Sequence, residues 1–250
     1  MIYQEPPTID FHYLGLIDFD LCVSLQKRLV YEAQGSSAAR IVCLLAEHPN
    51  MISIGRAGSR QHIRFTQAEL ELRNLETRWI GRGGACVMHT PGQLAIYPIV
   101  PLEQYSWTVG GYLEKLQKGL LDAIESFGIN SETRPGRYGV WGQSGLLASI
   151  GASVQNWVTS HGAFLNVDSP QHLQSQVESN PPELASPGDH PIMGSLVAEN
   201  DSPARIVEVA KVVASHLANT FECKYGSWQL NHPLLPEITE QTIERLARAY

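Results

Sequence analysis

The spacing of apolar residues changes several times along the chain, and each change predicts a different element. Residues 9 to 14 alternate as a half-buried strand does. Leu21, Leu25 and Leu29, with Cys22 beside them, recur four apart behind Asp18 and Asp20, either of which can cap a helix. Ile41-Val42-Cys43-Leu44-Leu45 reads as a buried strand stopped by His48-Pro49-Asn50, and residues 51 to 54 read as a short strand that meets Gly55. A helix over 66 to 75, a strand over 77 to 80 and, after a glycine-rich loop, a strand over 94 to 100 follow. The strongest helical pattern is 109 to 127, where Leu113, Leu116, Leu120, Leu121, Ile124 and Phe127 share one face and Gly128 ends the run.

From 146 to 167 three strand-like runs, LLASIGASV, NWVTS and AFLNV, predict a meander in a mixed sheet. Residues 168 to 190, rich in Pro, Ser, Gln and Asn, read as a long surface loop. Ser202-Pro203 then opens a helix that turns Ile206, Val209, Ala210, Val213 and Leu217 inward. Neither a repeat nor a linker interrupts this order. The reading is one α/β domain through residue 221 and a short tail, 222 to 250, with an amphipathic helix near 238 to 249.

Composition narrows the function classes. With 43% hydrophobic and 17% charged residues, the 250-residue chain can bury a sizeable core. Eighteen Lys plus Arg against 25 Asp plus Glu give a net charge of -7, which argues against binding nucleic acid through its phosphates. Cys22, Cys43, Cys86 and Cys223 are far apart and lack metal-ligand spacing, so they read as buried thiols of a reducing compartment, with no metal expected. The first 15 residues do not have the pattern of a signal peptide, and no stretch approaches the roughly 20 apolar residues of a membrane span. The expectation is a cytoplasmic protein that does not engage a membrane.

Candidate chemistry gathers in Arg82-Gly83-Gly84 and His89, just before a strand. Paired glycines let the backbone approach a ligand closely, while Arg82 and His89 suit an anion or a carbonyl; a tight connection with an exposed arginine is the plainer reading. Other fragments are similarly spaced along the chain: Glu47-His48-Pro49, Gly55-Arg56, Pro91-Gly92-Gln93, Tyr97-Pro98, Arg134-Pro135-Gly136-Arg137-Tyr138-Gly139-Val140-Trp141, Ser149-Ile150-Gly151, His161-Gly162 and Asn166-Val167. In order and spacing they resemble lipoate-protein ligase B, the lipoyl(octanoyl) transferase family, over roughly residues 12 to 200.

That resemblance implies the α/β catalytic-domain fold of biotin- and lipoate-protein ligases, a mixed sheet flanked by helices. It also implies an acyltransferase that takes octanoyl from acyl carrier protein onto a cysteine and passes it to a lysine of a lipoyl domain; no cofactor is implied. By position the acyl site would comprise Arg82, Gly83, Gly84, His89, Ser149, Ile150, Gly151, His161, Gly162, Ala163 and Phe164. Phe164 and Ile150 would line a channel, and the glycine backbones would serve as an oxyanion hole. A structural histidine bonded to a carbonyl is the alternative for His89 and for His161.

The chain departs from the family pattern at its reactive pair. Leu146 stands where the family has a lysine three residues before Ser149-Ile150-Gly151. No lysine occurs between Lys118 and Lys211, and no cysteine between Cys86 and Cys223. Counted back from Ser195-Leu196, the family's nucleophile slot falls near Ser186, with His190 as the nearest candidate base. An ordinary loop serine is the plainer reading of Ser186, and a packed thiol that of Cys86. Transfer is therefore expected to be impaired, the alternative being an active octanoyltransferase with a relocated nucleophile. Residues 56 to 82 carry six Arg against three Glu, which suits an acidic partner or, equally, a solvated helix face. The remaining histidines, such as His62, His172 and His232, read as solvated.

Overall fold

The computed structural model describes residues 6–35, 40–179, 192–202 and 204–235, so Ser186, His190 and the helix expected near 238 to 249 lie outside the described residues. The strands are β1 (Thr8–Leu16), β2 (Arg40–Glu47), β3 (Met51–Ile54), β4 (Glu76–Trp79), β5 (Cys86–His89), β6 (Gln93–Ile99), β7 (Gly139–Trp141), β8 (Leu146–Gln155), β9 (Val158–Asn166) and β10 (Lys224–Leu230). The helices are α1 (Phe19–Gly35), α2 (Gln67–Leu72), α3 (Val109–Glu125), α4 (Gln171–Gln174), α5 (Leu196–Asn200) and α6 (Ile206–Thr220). A seven-stranded mixed sheet has the order β10-β1-β2-β6-β9-β8-β7, and a three-stranded sheet the order β4-β3-β5.

Strand alternation sorts the core into two layers. On one face of the large sheet Phe11, Cys43, Leu94, Ile96, Ala163 and Leu165 pack on Leu116 and Leu120 of α3 and Val213 and Leu217 of α6. On the other, Leu44, Ala95, Tyr97 and Phe164 meet Cys22, Leu25 and Leu29 of α1 and Val87 of the small sheet. Each large apolar side chain so buried contributes about 1.5–3 kcal/mol, so both layers help hold the helices onto the sheet. Asp18, rather than Asp20, caps α1, accepting from the Leu21 N–H at 3.0 Å. Gly128 has φ +78 after α3, a conformation that glycine adopts freely.

Several boundaries differ from the sequence reading. Cys86–His89, read as part of a glycine-rich loop, forms β5 and pairs with β3. The runs NWVTS and AFLNV merge into one strand, because Asn156 and Trp157 (φ +48 and +62) make a two-residue hairpin turn from β8 to β9. Helix α6 begins at Ile206 rather than at Ser202, with Arg205 at its N-cap, and a short helix, α5, precedes it. Residues 176 to 178 do not run free in a surface loop but bond to residues 62, 64 and 86. His232 is buried, its ring 4.4 Å from that of His12.

Residues 224 to 230, read as the start of a tail, complete the large sheet as β10, parallel to β1. Asp10 of β1 fixes that edge: its carboxylate accepts from the N–H (2.9 Å) and Oγ (2.7 Å) of Ser227 and pairs with Arg40 of β2. Burial alone would raise the Asp10 pKa, but the bonds from Arg40 and Ser227 outweigh it and hold the group below its usual value. Asp10→Ala should therefore cost about 1.5–3 kcal/mol in urea unfolding and speed hydrogen exchange along β10 before the rest of the sheet.

Candidate functional site

The loop before β5 is pressed onto the face of β8 by backbone contacts. The Gly83 N–H donates to the Ala152 carbonyl at 2.8 Å, and a Cβ on Gly151 would overlap the Gly83 carbonyl oxygen. Gly151 is thus required by close approach, and the Gly83 N–H is spent on the sheet instead of being open as an oxyanion donor. A Cβ on Gly55 would likewise overlap the Gly84 carbonyl, so four glycines come together where the small sheet meets the large one.

Arg82 is 1% exposed at this junction. Its Nη2 donates to the Ser53 carbonyl (3.0 Å) and Oγ (2.9 Å), its Nη1 to the Gly83 carbonyl (2.9 Å), and its guanidinium lies 5.7 Å from the centre of the Phe164 ring. No carboxylate pairs with it among the described residues. Burial lowers its pKa to about 10, which leaves it charged at neutral pH. Ser53 relays this anchor to His89, whose Nε2 is 2.7 Å from the Ser53 Oγ.

His89 belongs to a group of contacting rings. It lies 4.7 Å from Phe164, 5.2 Å from Phe19 and 5.7 Å from His48, while Tyr97 lies 5.9 Å from Phe164 and 6.0 Å from His161. His48 places Nδ1 2.9 Å from the Ile17 carbonyl and Nε2 2.8 Å from the Tyr97 hydroxyl. The carbonyl requires a proton on Nδ1, so Nε2 accepts from Tyr97 and the ring is neutral. Burial, reinforced by Arg82 and the other histidines, lowers His89 well below its ordinary pKa and His161 to about 4. His48 is also brought down to about 4 by burial. The centre of the site is therefore one fixed guanidinium among neutral rings. Buried Arg82 Nε, His89 Nδ1 and His161 Nδ1 have no hydrogen-bond partner among the described residues.

The sequence-predicted residues divide between the two faces of the sheet. Ser149 pairs with Phe164 and Gly151 with Gly162, so these four share the face that the Arg82 loop covers, together with Gly83, Gly84 and His89. Ile150 pairs with Ala163, and period-2 alternation turns both toward α3 and α6. Ile150 therefore does not line a channel with Phe164. Cys86 alternates with His89 in the same way: it packs with Ile52, Ile54 and Phe65 on the far side of the small sheet, its Sγ 3.5 Å from the Ser59 carbonyl. Burial raises its thiol pKa, which Arg82 only partly offsets, so Cys86 does not present a thiolate.

Leu146 begins β8 and is 1% exposed, packed with Trp141 and Met193. Its N–H donates to the Ile192 carbonyl at 2.7 Å, and its own carbonyl accepts from Gly194 and from the Asn166 side chain. Asn166 also accepts from Gln93 at 3.0 Å, and the Glu47 carboxylate accepts from the Gly92 N–H at 2.9 Å, so these motif residues act as scaffold. The arginine-rich stretch is mostly tied internally. Arg82 is buried, Arg78 pairs with Asp20 and Glu76, Arg64 pairs with Glu178, Arg60 caps two carbonyls and Arg73 lies over Phe65; Arg56, Arg60, Arg64 and Arg73 are all exposed. Arg134 lies 4.9 Å over the Trp141 ring, bracing the turn at Gly136.

Sequence reasoning missed Ser53, Phe19, Gln26 and the roles of His48 and Tyr97. The only local signal for Ser53 is a single polar residue inside the buried strand Met51–Ile54. Among the described residues, no cluster of His, Cys, Asp and Glu is placed to hold a metal, and no helix is long and apolar enough to cross a membrane.

Comparison with known proteins shows what the chain is similar to. The family model described as the lipoyl protein ligase A/B catalytic domain matches residues 19–218. An octanoyltransferase of Geotalea uraniireducens is 41% identical over 154 residues, 62% of this chain and 68% of that protein. One of Gloeobacter violaceus is 31% identical over 215 residues, 85% of this chain and 91% of that protein. Among solved structures, lipoate-protein ligase A bound with ATP superposes with a TM-score of 0.67 at 11% identity, covering 98% of this chain and 93% of that one. The bipartite lipoate protein ligase from Thermoplasma acidophilum also gives 0.67, at 14% identity, covering 96% of this chain and 91% of that one.

Proposed function

Because the chain belongs to the lipoyl protein ligase A/B catalytic-domain family, and within it to the lipoyl(octanoyl) transferases, we propose that it binds a medium-chain acyl group without carrying it covalently. The acyl site is the face where the Arg82-Gly83-Gly84 loop, His89, His161 and Phe164 meet Ser149, Gly151 and Gly162. The donor is octanoyl-acyl carrier protein and the second partner a lipoyl domain, by analogy with the relatives. The observation that carries this reading is Leu146. The position at which the family resemblance implies an activating lysine is filled by an alkyl group packed on Trp141 and Met193, so no ammonium stands there to lower a thiol pKa.

The thiols support the same reading. Burial raises Cys22 to about 12 and Cys223 to about 11, and it also raises Cys43 and Cys86, so none of the four is a thiolate at neutral pH. Binding needs no nucleophile: burying an octanoyl chain at about 0.8 kcal/mol per methylene gives roughly 5 kcal/mol, a dissociation constant on the order of 0.1 mM.

The test is intact mass after incubation with octanoyl-acyl carrier protein, alongside calorimetry with octanoyl-pantetheine. The expected result is heat of binding with no mass increase. A stable octanoyl adduct, mapped to Ser186 or any other residue, would establish an active transferase with a relocated nucleophile. Absence of heat at millimolar ligand would remove the acyl site itself.

A further inference from the structure

His161 breaks the alternation of β9. Ala163 and Leu165 face α3 and α6, so period 2 assigns His161 to that face as well, beside its partner Ala152. Its ring instead contacts Tyr97, on the α1 face, and its backbone has φ +53 in the middle of a paired strand. A non-glycine residue in that region needs its surroundings to hold it there. One side chain meets the displaced backbone: Gln26 of α1, 1% exposed, whose Oε1 accepts the His161 N–H at 2.8 Å. Gln26 is the sole buried amide on a helix face otherwise made of Phe19, Cys22, Leu25, Leu29 and Val30. Gly162, next along the strand, lies so close to β6 that a Cβ there would overlap the Ile96 carbonyl.

We propose that Gln26 is a positioning residue for the acyl site: by accepting the His161 N–H it holds His161 in the left-handed conformation that turns its ring toward Tyr97 and the Phe164 wall. An apolar residue at position 26 would leave a buried N–H unpaired, and the cheapest relief is for His161 to return to an extended conformation with its ring on the opposite face. The wall of the site would then lose one side without any change in the residues assigned to the ligand. The functional half of this inference rests on the acyl-binding reading; the conformational half does not.

The experiment follows the His161 imidazole by NMR in wild type, Gln26→Leu and Gln26→Glu, with calorimetry on octanoyl-pantetheine in the same samples. In wild type the ring is enclosed and faces Arg82, His48 and Lys27, and its midpoint lies at about 4. The expected result for Gln26→Leu is a midpoint at least one unit higher and binding at least tenfold weaker, while circular dichroism shows a cooperatively folded protein. Gln26→Glu keeps an acceptor and should restore binding most of the way, although the added carboxylate will itself raise the His161 midpoint. In a His161→Asn background, where the side chain tolerates positive φ and the ring is gone, adding Gln26→Leu should weaken binding less than twofold further. A Gln26→Leu protein that is folded yet keeps the His161 midpoint at about 4 overturns the proposal. If octanoyl-pantetheine binds none of the variants, wild type included, the acyl reading falls while the NMR arm still decides the role of Gln26. Should Gln26→Leu not fold, Gln26→Ala and Gln26→Ser, which lack an acceptor within reach, are to be read by the same two measurements.

Discussion

Acidified from pH 8 to pH 4, the protein is expected to lose most of its stability between pH 6.5 and pH 4, a loss that begins well above the ordinary carboxylate pKa values of about 4. His48 and His161 each have a folded pKa near 4, lowered by burial, against about 6.5 in the unfolded chain. The unfolded state therefore binds more protons in this window. The stabilising contribution is complete above pH 6.5 and drains away as the pH falls toward 4. At pH 5 each histidine contributes about 2 kcal/mol of destabilisation, roughly 4 kcal/mol for the pair, against a typical domain stability of 5–15 kcal/mol. His89 acts in the same direction. Urea midpoints measured at half-unit steps of pH test this, and His48→Gln should flatten the slope by about one proton. A stability that stays level down to pH 4.5 would mean that these rings are open to water, in conflict with their packing on Phe164 and Tyr97.

The same titration bears on binding, because protonated His48 and His161 would place new cations beside Arg82, which pairs with no carboxylate among the described residues. Acyl affinity and stability should fall together as the pH drops.

How far the sequence discloses this site depends on the range of the interactions involved. The spacing of Leu21, Leu25 and Leu29 and the run at 41 to 45 reveal α1 and β2 because alternation and helical periodicity are local. The convergence of Arg82-Gly83-Gly84 with Ser149, Gly151, His161 and Gly162 is legible only through ordered motifs, since 135 residues separate Gln26 from the N–H that it binds. Ile150 shows the limit of motif reasoning: adjacency to Ser149 and Gly151 suggested a shared surface, yet a strand sends neighbours to opposite faces. β10 escapes notice for another reason. Lys224–Leu230 is half-exposed and only weakly alternating, and what draws it to the sheet is the buried carboxylate of Asp10, 217 residues away from Ser227. Ser53 leaves only a polar interruption in a four-residue strand, and its role as the bridge between Arg82 and His89 exists only once β3 and β5 pair.

A lysine at position 146 should be strongly destabilising at neutral pH, and the size of that effect reports how closely the pocket there is fitted to an alkyl side chain. Leu146 lies in a dry pocket of Trp141 and Met193, and the Arg134 guanidinium already lies over the Trp141 ring. An ammonium there would be desolvated beside an existing cation, so its pKa would be driven down, by some three to five units for full burial. With an unfolded pKa near 10.4 and about 1.4 kcal/mol per unit, Leu146→Lys should cost roughly 4 kcal/mol at pH 7. Because the unfolded lysine binds the extra proton, stability should recover as the pH rises toward 10. Leu146→Met, similar in volume and uncharged, should cost under about 1.5 kcal/mol and show no such recovery. The discriminating measurement is the urea midpoint of Leu146→Lys at pH 7 and at pH 9.5. A large gap means that the pocket is closed around the alkyl side chain, as the proposal of binding without covalent carriage requires. Equal midpoints close to wild type would mean that the position still accepts a charged lysine, and the acyl site would then be one substitution nearer to an active dyad than its packing implies.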